Sequence, residues 1–271
     1  MPAIIDEDTV RARHSVNVTG RTGARPMLLA HGFGCSQEMW RFVAPRFEAD
    51  HEVVVFDHIG AGRSDLSAYD RRKYDSLHGY ADDVLEILEA LDLEDVVYVG
   101  HSVSAMIGVL AAARNPSRFG ALVLVGPSPR YIDDEEYRGG FGRADIEALL
   151  DTLDANYLGW SSQMAPLIVG NADRPELGAE LTESFCRTDP AIARHFAHVT
   201  FLSDNRQDLR EVALPTLVVQ CRDDLIAPQS VGEYVHRQIP GSTYTVLDAT
   251  GHCPNLSAPD QLVDAIRGFL S

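Results

Sequence analysis

The sequence predicts an α/β fold: a mostly parallel sheet flanked by helices and interrupted by an inserted helical cap. Three observations carry that prediction. Short, wholly apolar runs recur towards both ends of the chain, among them Met27-Leu28-Leu29-Ala30, Val53-Val54-Val55-Phe56, Ala121-Leu122-Val123-Leu124-Val125 and Leu217-Val218-Val219. Strands that are apolar throughout, rather than on alternate residues, belong to a sheet buried on both faces, as parallel sheets are. Helical segments lie between these strands, and the alternation stops between Ser128 and Asp208, where only helical or irregular segments occur.

Taken in order, residues 14 to 20 read as a first, exposed strand ending at Gly20. Met27 to Ala30 is a buried strand that runs straight into the glycine-rich loop His31-Gly32-Phe33-Gly34. Trp40 to Phe47 alternates apolar and charged residues at helical spacing. Val53 to Phe56 is closed by Asp57-His58-Ile59-Gly60-Ala61-Gly62-Arg63-Ser64-Asp65, which is all turn chemistry. From Tyr80 to Leu91, Val84, Leu85, Leu88 and Leu91 share one helical face, and Asp82, Asp83, Glu86 and Glu89 lie elsewhere.

Val96 to Ala105 reads as strand, sharp turn and helix, with Ser102 at the apex, and Ala121 to Val125 as the next strand. The insertion offers helices over Asp145 to Tyr157, Ser162 to Val169, Pro175 to Arg187 and Pro190 to Ser203, each beginning near Asp, Ser or Pro. The alternation resumes with Pro215 to Gln220, a helix around Val231 to Gln238, the strand Thr243 to Leu247 and a last helix from Pro259 to Leu270. The expected organisation is a core over 1–127 and 209–271, with a cap over 128–208 packed on one end of the sheet.

Composition narrows the function. The chain has 271 residues, 45% hydrophobic and 23% charged, as an ordinary globular protein does. Its 40 acidic and 23 basic residues leave a net charge of −17, which argues against nucleic acid or an anionic membrane surface as partner. The acidity is read as solubility. Cys35, Cys186, Cys221 and Cys253 have no metal-binding spacing, and a chain this long needs no disulfide staples, so they are expected as reduced thiols. Met1 to Arg13 lacks an apolar signal region, and no apolar run reaches membrane-spanning length. The expectation is a soluble, cytoplasmic protein.

The turn Gly100-His101-Ser102-Val103-Ser104 lifts a serine hydroxyl above a strand end, in front of a helix N-terminus that favours negative charge. The usual pattern has Gly where Ser104 stands, and five residues of this kind also occur in ordinary capped turns. Later loops decide the matter. Serine acyl transfer needs a base, an acid to orient the base, and donors for an oxyanion, in the chain order Ser, acid, His. Of the ten histidines only His252 follows the final strand. The acid belongs to the loop after Leu217 to Gln220, where Asp224, four residues before Pro228, is preferred and Asp223 is the fallback. The oxyanion donors are expected to be the backbone N–H groups of Val103 and Phe33.

Other patterns read as ordinary structure. His195 and His198 have helical metal-ligand spacing but no third ligand, so no metal site is expected. Gly60-Ala61-Gly62 lacks the third glycine of a dinucleotide fingerprint and is a turn. Cys253 is assigned to packing, and His101 to the pocket floor or to hydrogen bonding. Tyr131, Phe141, Trp160, Met164, Phe196 and Phe201 divide between the cap core and an apolar pocket.

With these residues in place, the chain resembles the α/β-hydrolase superfamily over nearly its full length. Within it, Gly100 to Gly108 is similar to the RsbQ-type group, which comprises the bacterial RsbQ stress regulator and the plant karrikin and strigolactone receptors. Further matches are His31-Gly32-Phe33-Gly34, Asp57-x-x-Gly60-x-Gly62-x-Ser64-Asp65, Ser128-Pro129-Arg130-Tyr131, Gly139-Gly140-Phe141, Ser203-Asp204-x-Arg206 and Gly251-His252-x-Pro254. Ser104 is normal for this group.

The resemblance implies a four-helix, V-shaped lid over an apolar pocket lined by Phe33, His101, Tyr131, Phe141, Trp160 and Phe201. Met164 stands where a plant relative has an aromatic residue. It also implies two styles of function: the bacterial regulator works with a partner phosphatase, while the plant receptors bind and slowly hydrolyse butenolides before recruiting protein partners. The expected function is therefore a serine hydrolase with the triad Ser102, Asp224 and His252. It would act without cofactor on a small apolar ester or lactone. The alternative is a ligand-sensing regulator whose hydrolysis is slow and whose output is binding to a phosphatase or other signalling protein.

Overall fold

The structure, a computed structural model, describes residues 6–271, so residues 1–5 of the expected core lie outside the described residues. The elements in order are α1 (Glu7–His14), β1 (Asn17–Gly20), β2 (Pro26–Ala30), β3 (Glu52–Val55), α2 (Leu77–Ala90), β4 (Val96–His101), α3 (Val103–Arg114) and β5 (Phe119–Val125). Then come α4 (Arg143–Ala155), α5 (Tyr157–Val169), α6 (Pro175–Arg187), α7 (Pro190–Phe201), β6 (Thr216–Asp223), α8 (Gln229–Gln238), β7 (Thr243–Thr250), α9 (Pro254–Ser257) and α10 (Pro259–Leu270). No helix among the described residues is long and apolar enough to cross a membrane.

Among the described residues seven strands form one sheet in the order β1-β3-β2-β4-β5-β6-β7, parallel except for β1, which runs antiparallel to β3. β4 and β5 are buried almost throughout, and alternate residues face two separate apolar layers. Val97, Val99, Val123 and Val125 face the layer that holds Trp40, Phe47 and α10. Tyr98, Leu122 and Leu124 face the layer of α2 and α3. This is the two-sided burial that the apolar runs predict. The edge strand β7 departs from it: Leu247 alone of its residues is buried, and the strand continues to Thr250.

Three other expectations are corrected. Trp40 to Phe47 is not one helix but two short 3₁₀ turns, Gln37–Trp40 and Ala44–Arg46, because Pro45 has no N–H to continue an α-helical ladder. α1 has no counterpart among the predicted elements, although Asp6 caps it by accepting from the Thr9 N–H at 3.0 Å and its charges follow the helix dipole. Asp83 is not on a solvated face; it is fully buried, ion-paired with Lys73 and accepting from the Tyr74 hydroxyl at 2.9 Å. Burial pushes its carboxyl pKa up, against the lowering effect of Lys73 and Tyr74.

His14, at the end of α1, is fully buried against Phe56, and neither ring nitrogen has a hydrogen-bond partner. Burial lowers its pKa from 6.5 to about 4. Between these values the unfolded chain binds the proton and the folded chain does not, so stability falls as pH falls through that window. Urea unfolding from pH 7 to pH 4 should show this loss. His14→Phe keeps the ring contact and should flatten the slope by about 1.4 kcal/mol per pH unit. An unchanged slope would mean that His14 takes up its proton in the folded chain as it does in water.

Candidate active site

In a parallel sheet the loops that follow the strands gather at one end, and here those after β2, β4, β6 and β7 meet. Ser102 sits between β4 and α3 with φ +57° and ψ −121°. Its N–H donates to the Val125 carbonyl at 2.8 Å, and the Tyr98 hydroxyl donates to the Ser104 carbonyl at 2.8 Å, so the turn is tied down on both sides. Such a backbone position costs an L residue about 1–3 kcal/mol, borne by the surrounding packing. The hydroxyl is presented at the end of the strand, and the residue is 6% exposed.

The loop after β6 places Asp224, whose Oδ1 accepts from the Ile226 and Ala227 N–H groups at 2.8 and 3.0 Å. Its Oδ2 accepts from His252 Nδ1 at 2.7 Å, which leaves Nε2 unprotonated to accept from the Ser102 hydroxyl at 2.7 Å. Asp223, the fallback, is exposed; its carbonyl accepts from the Gly251 N–H at 2.7 Å while its side chain points away. His101 donates from Nε2 to the His252 carbonyl at 2.7 Å, and burial lowers its pKa to about 3, so it is neutral.

The loop after β2 closes on the same spot. Gly32 is so near that a Cβ there would lie 3.3 Å from Ser102 Cβ and 2.7 Å from His101 Nδ1. Val103 is the first residue of α3, where a backbone N–H has no intrahelical acceptor, and Phe33 lines the cavity above Ser102.

That cavity has a volume of about 40 Å³. Phe33, His101, Tyr131, Trp160 and Phe201 line it, together with Ser102 and His252. Phe141 and Met164 are half-buried beside these residues, packed on the same apolar layer. Phe141 reaches the site through its backbone, its N–H donating to the Tyr131 carbonyl at 3.2 Å. On α5, Met164 lies four residues from both Trp160 and Ile168, which line the cavity. Phe196 lies away from the cavity and stacks on Tyr80 at 4.4 Å.

Sequence reasoning missed Ile168, Leu181, Phe185 and Ile226, which also line the cavity. The stripe Leu177, Leu181 and Phe185, four residues apart on α6, was the available signal. Cys35 and Cys253 line the cavity as free thiols, and burial pushes the Cys35 pKa up to about 12. His195 and His198 bind no common partner: they pair with the Tyr69 hydroxyl at 2.6 Å and the Asp154 carboxylate at 2.9 Å.

The inserted helices grip the His252 loop directly. The His252 N–H donates to the Ile168 carbonyl at 2.8 Å, at the end of α5. Asn171 Nδ2 donates to the carbonyls of Val169 and Thr250, both at 2.8 Å, and Arg174 donates to the Ser257 carbonyl at 2.9 Å. Gly251 has φ +90°, and a Cβ there would run into the Val169 carbonyl, so only glycine fits at this seam.

Comparison with known proteins shows the family to which the chain belongs. The family model described as alpha/beta hydrolase fold matches residues 25–259. The strigolactone esterase of Arabidopsis thaliana is 41% identical over 94% of this chain and 96% of its own length. A karrikin insensitive 2 receptor of Petunia hybrida is 38% identical over 95% of each. The solved structure of a hydrolase from Oleispira antarctica is 41% identical and superposes with a TM-score of 0.95, over 98% of this chain and 97% of that one.

The seam makes a prediction of its own. Asn171→Ala removes three hydrogen bonds, the two that Nδ2 donates and the one that Oδ1 accepts from Arg174, worth about 1 kcal/mol each. Hydrogen exchange over residues 250–257 should then quicken roughly fivefold or more, with β4 and β5 unchanged. Equal exchange in this variant would show that the His252 loop holds its place without Asn171.

Proposed function

Because the chain belongs to the α/β-hydrolase fold family, we propose that it is a serine hydrolase acting on a small apolar ester or lactone. The observation that carries this is the hydrogen-bonded chain Ser102–His252–Asp224, with 2.7 Å at each link. Ser102 Oγ attacks the carbonyl carbon as His252 Nε2 takes its proton. Asp224 holds His252 in the required tautomer and stabilises the imidazolium. The backbone N–H groups of Phe33 and Val103 hold the developing oxyanion, a donor pair in which each member is worth on the order of 10²–10³ in rate. The oxyanion collapses to expel the alcohol, which leaves with the proton from His252, and water activated by the same imidazole hydrolyses the acyl-enzyme. These steps draw on no metal or organic cofactor.

The helical insertion over 128–208 acts as the lid of this site, and its aromatic lining suits an apolar acyl group. The strigolactone esterase among the relatives supports ester or lactone chemistry. The receptor among them supports a second use of the same site, as a ligand sensor; in that reading the chain signals in the cytoplasm to a protein partner such as a phosphatase and turns over slowly.

Stopped-flow assays with p-nitrophenyl acetate and butyrate test both. The wild type should release p-nitrophenol in a Ser102-dependent burst, and Ser102→Ala should lose about 10³-fold or more. Steady turnover after the burst marks the hydrolase, and a burst followed by a persistent adduct marks the sensor. Unchanged release in Ser102→Ala would contradict the assignment.

A further inference from the structure

The departure from the usual elbow pattern, Ser104 in place of glycine, is built into a closed circuit of buried hydrogen bonds. Ser104 is fully buried on the first turn of α3. Its hydroxyl donates to the His31 carbonyl at 2.5 Å. The single hydroxyl proton is thereby committed, so at the 2.8 Å contact His58 Nε2 is the donor and Ser104 Oγ the acceptor. The backbone N–H of His58 donates to His31 Nε2 at 3.1 Å, which makes His31 Nδ1 the protonated nitrogen, and that group donates to the Gly32 carbonyl at 2.9 Å. Three segments are thus joined: the loop after β2, the loop after β3 and the start of α3.

From this circuit we infer that Ser104 is a positioning residue that sets the Phe33 N–H and the Val103 N–H at the spacing an oxyanion needs. The inference rests on the serine-hydrolase function proposed above. Ser104 is next to Val103 in the chain and bonded to the backbone two residues before Phe33, so one side chain touches both donor-bearing segments. Gly32 packs directly against Ser102 and His101, so little slack separates this loop from the nucleophile. Glycine at 104 would leave the His31 carbonyl and the His58 Nε2–H without partners in a region where His31 and His58 are both buried. The loop would have to move to resatisfy them. Burial lowers the pKa of both imidazoles, so neutral rings fill these roles.

The test compares wild type, Ser104→Ala and Ser104→Gly by steady-state kinetics on p-nitrophenyl acetate and by inhibition with phenylboronic acid, whose tetrahedral adduct on Ser102 mimics the oxyanion. The expected result is a fall in kcat of roughly 10- to 100-fold with KM within about twofold, and a parallel loss of boronate affinity. Circular dichroism checks the fold, and Ser104→Cys, close in size but a poorer donor, serves with the same two readouts if the smaller variants do not fold. Unchanged kcat and boronate affinity would overturn the inference, as would a loss confined to KM. A wild type without Ser102-dependent turnover would instead overturn the underlying function, so the two failures are distinguishable.

Discussion

Ser102 holds φ at +57° and ψ at −121°, a conformation an L residue adopts only where its surroundings hold it. Those surroundings are the most buried part of the molecule. β4 lies at the centre of the sheet between β2 and β5, α3 is buried along almost its whole length, and the Val125 carbonyl takes the Ser102 N–H. With the turn held in this way, the hydroxyl has one place to be, and the loops after β2, β6 and β7 can be shaped to meet it. Asp224 and His252 come from strands two and three places along the sheet, yet each link to Ser102 closes at 2.7 Å.

The insertion is coupled to this machinery as well as covering it. The same end of α5 that contributes Ile168 to the cavity wall accepts the His252 N–H, while His101 holds the His252 carbonyl from below. Both backbone polar groups of His252 are therefore fixed, the N–H by the insertion and the carbonyl by the elbow. A displacement of α5 by a ligand would be felt at the proposed general base. This gives a physical route by which cavity occupancy and chemistry can influence each other, whether the output is turnover or recognition.

Much of this was legible in the sequence because it depends on short-range pattern and chain order. The wholly apolar runs mark β2 to β6, and the order Ser102, Asp224, His252 across the loops singles out the chemistry. What was illegible depends on tertiary partners. Asp83 looks like a surface residue until Lys73 and Tyr74 are seen to meet it. Met164 and Phe141 are half-buried against the apolar layer that walls the cavity, a placement set by the packing of the insertion and not by any local pattern. Phe185 comes from far along the chain, and its contact with Trp160 (ring centroids 5.8 Å apart) has no local signature beyond the helical stripe it ends. Ser104 is the reverse case. As a letter in a motif it reads as a flaw, and in the structure it joins two loops to the start of α3.

The central claim is that Ser102 is a nucleophile made reactive by His252. Intact-mass spectrometry after treatment with an alkyl fluorophosphonate tests it most directly. The account predicts one adduct per chain, mapped to Ser102, absent in Ser102→Ala and formed about 10³-fold more slowly in His252→Ala. No adduct on the wild type, or an adduct on another residue, would contradict it.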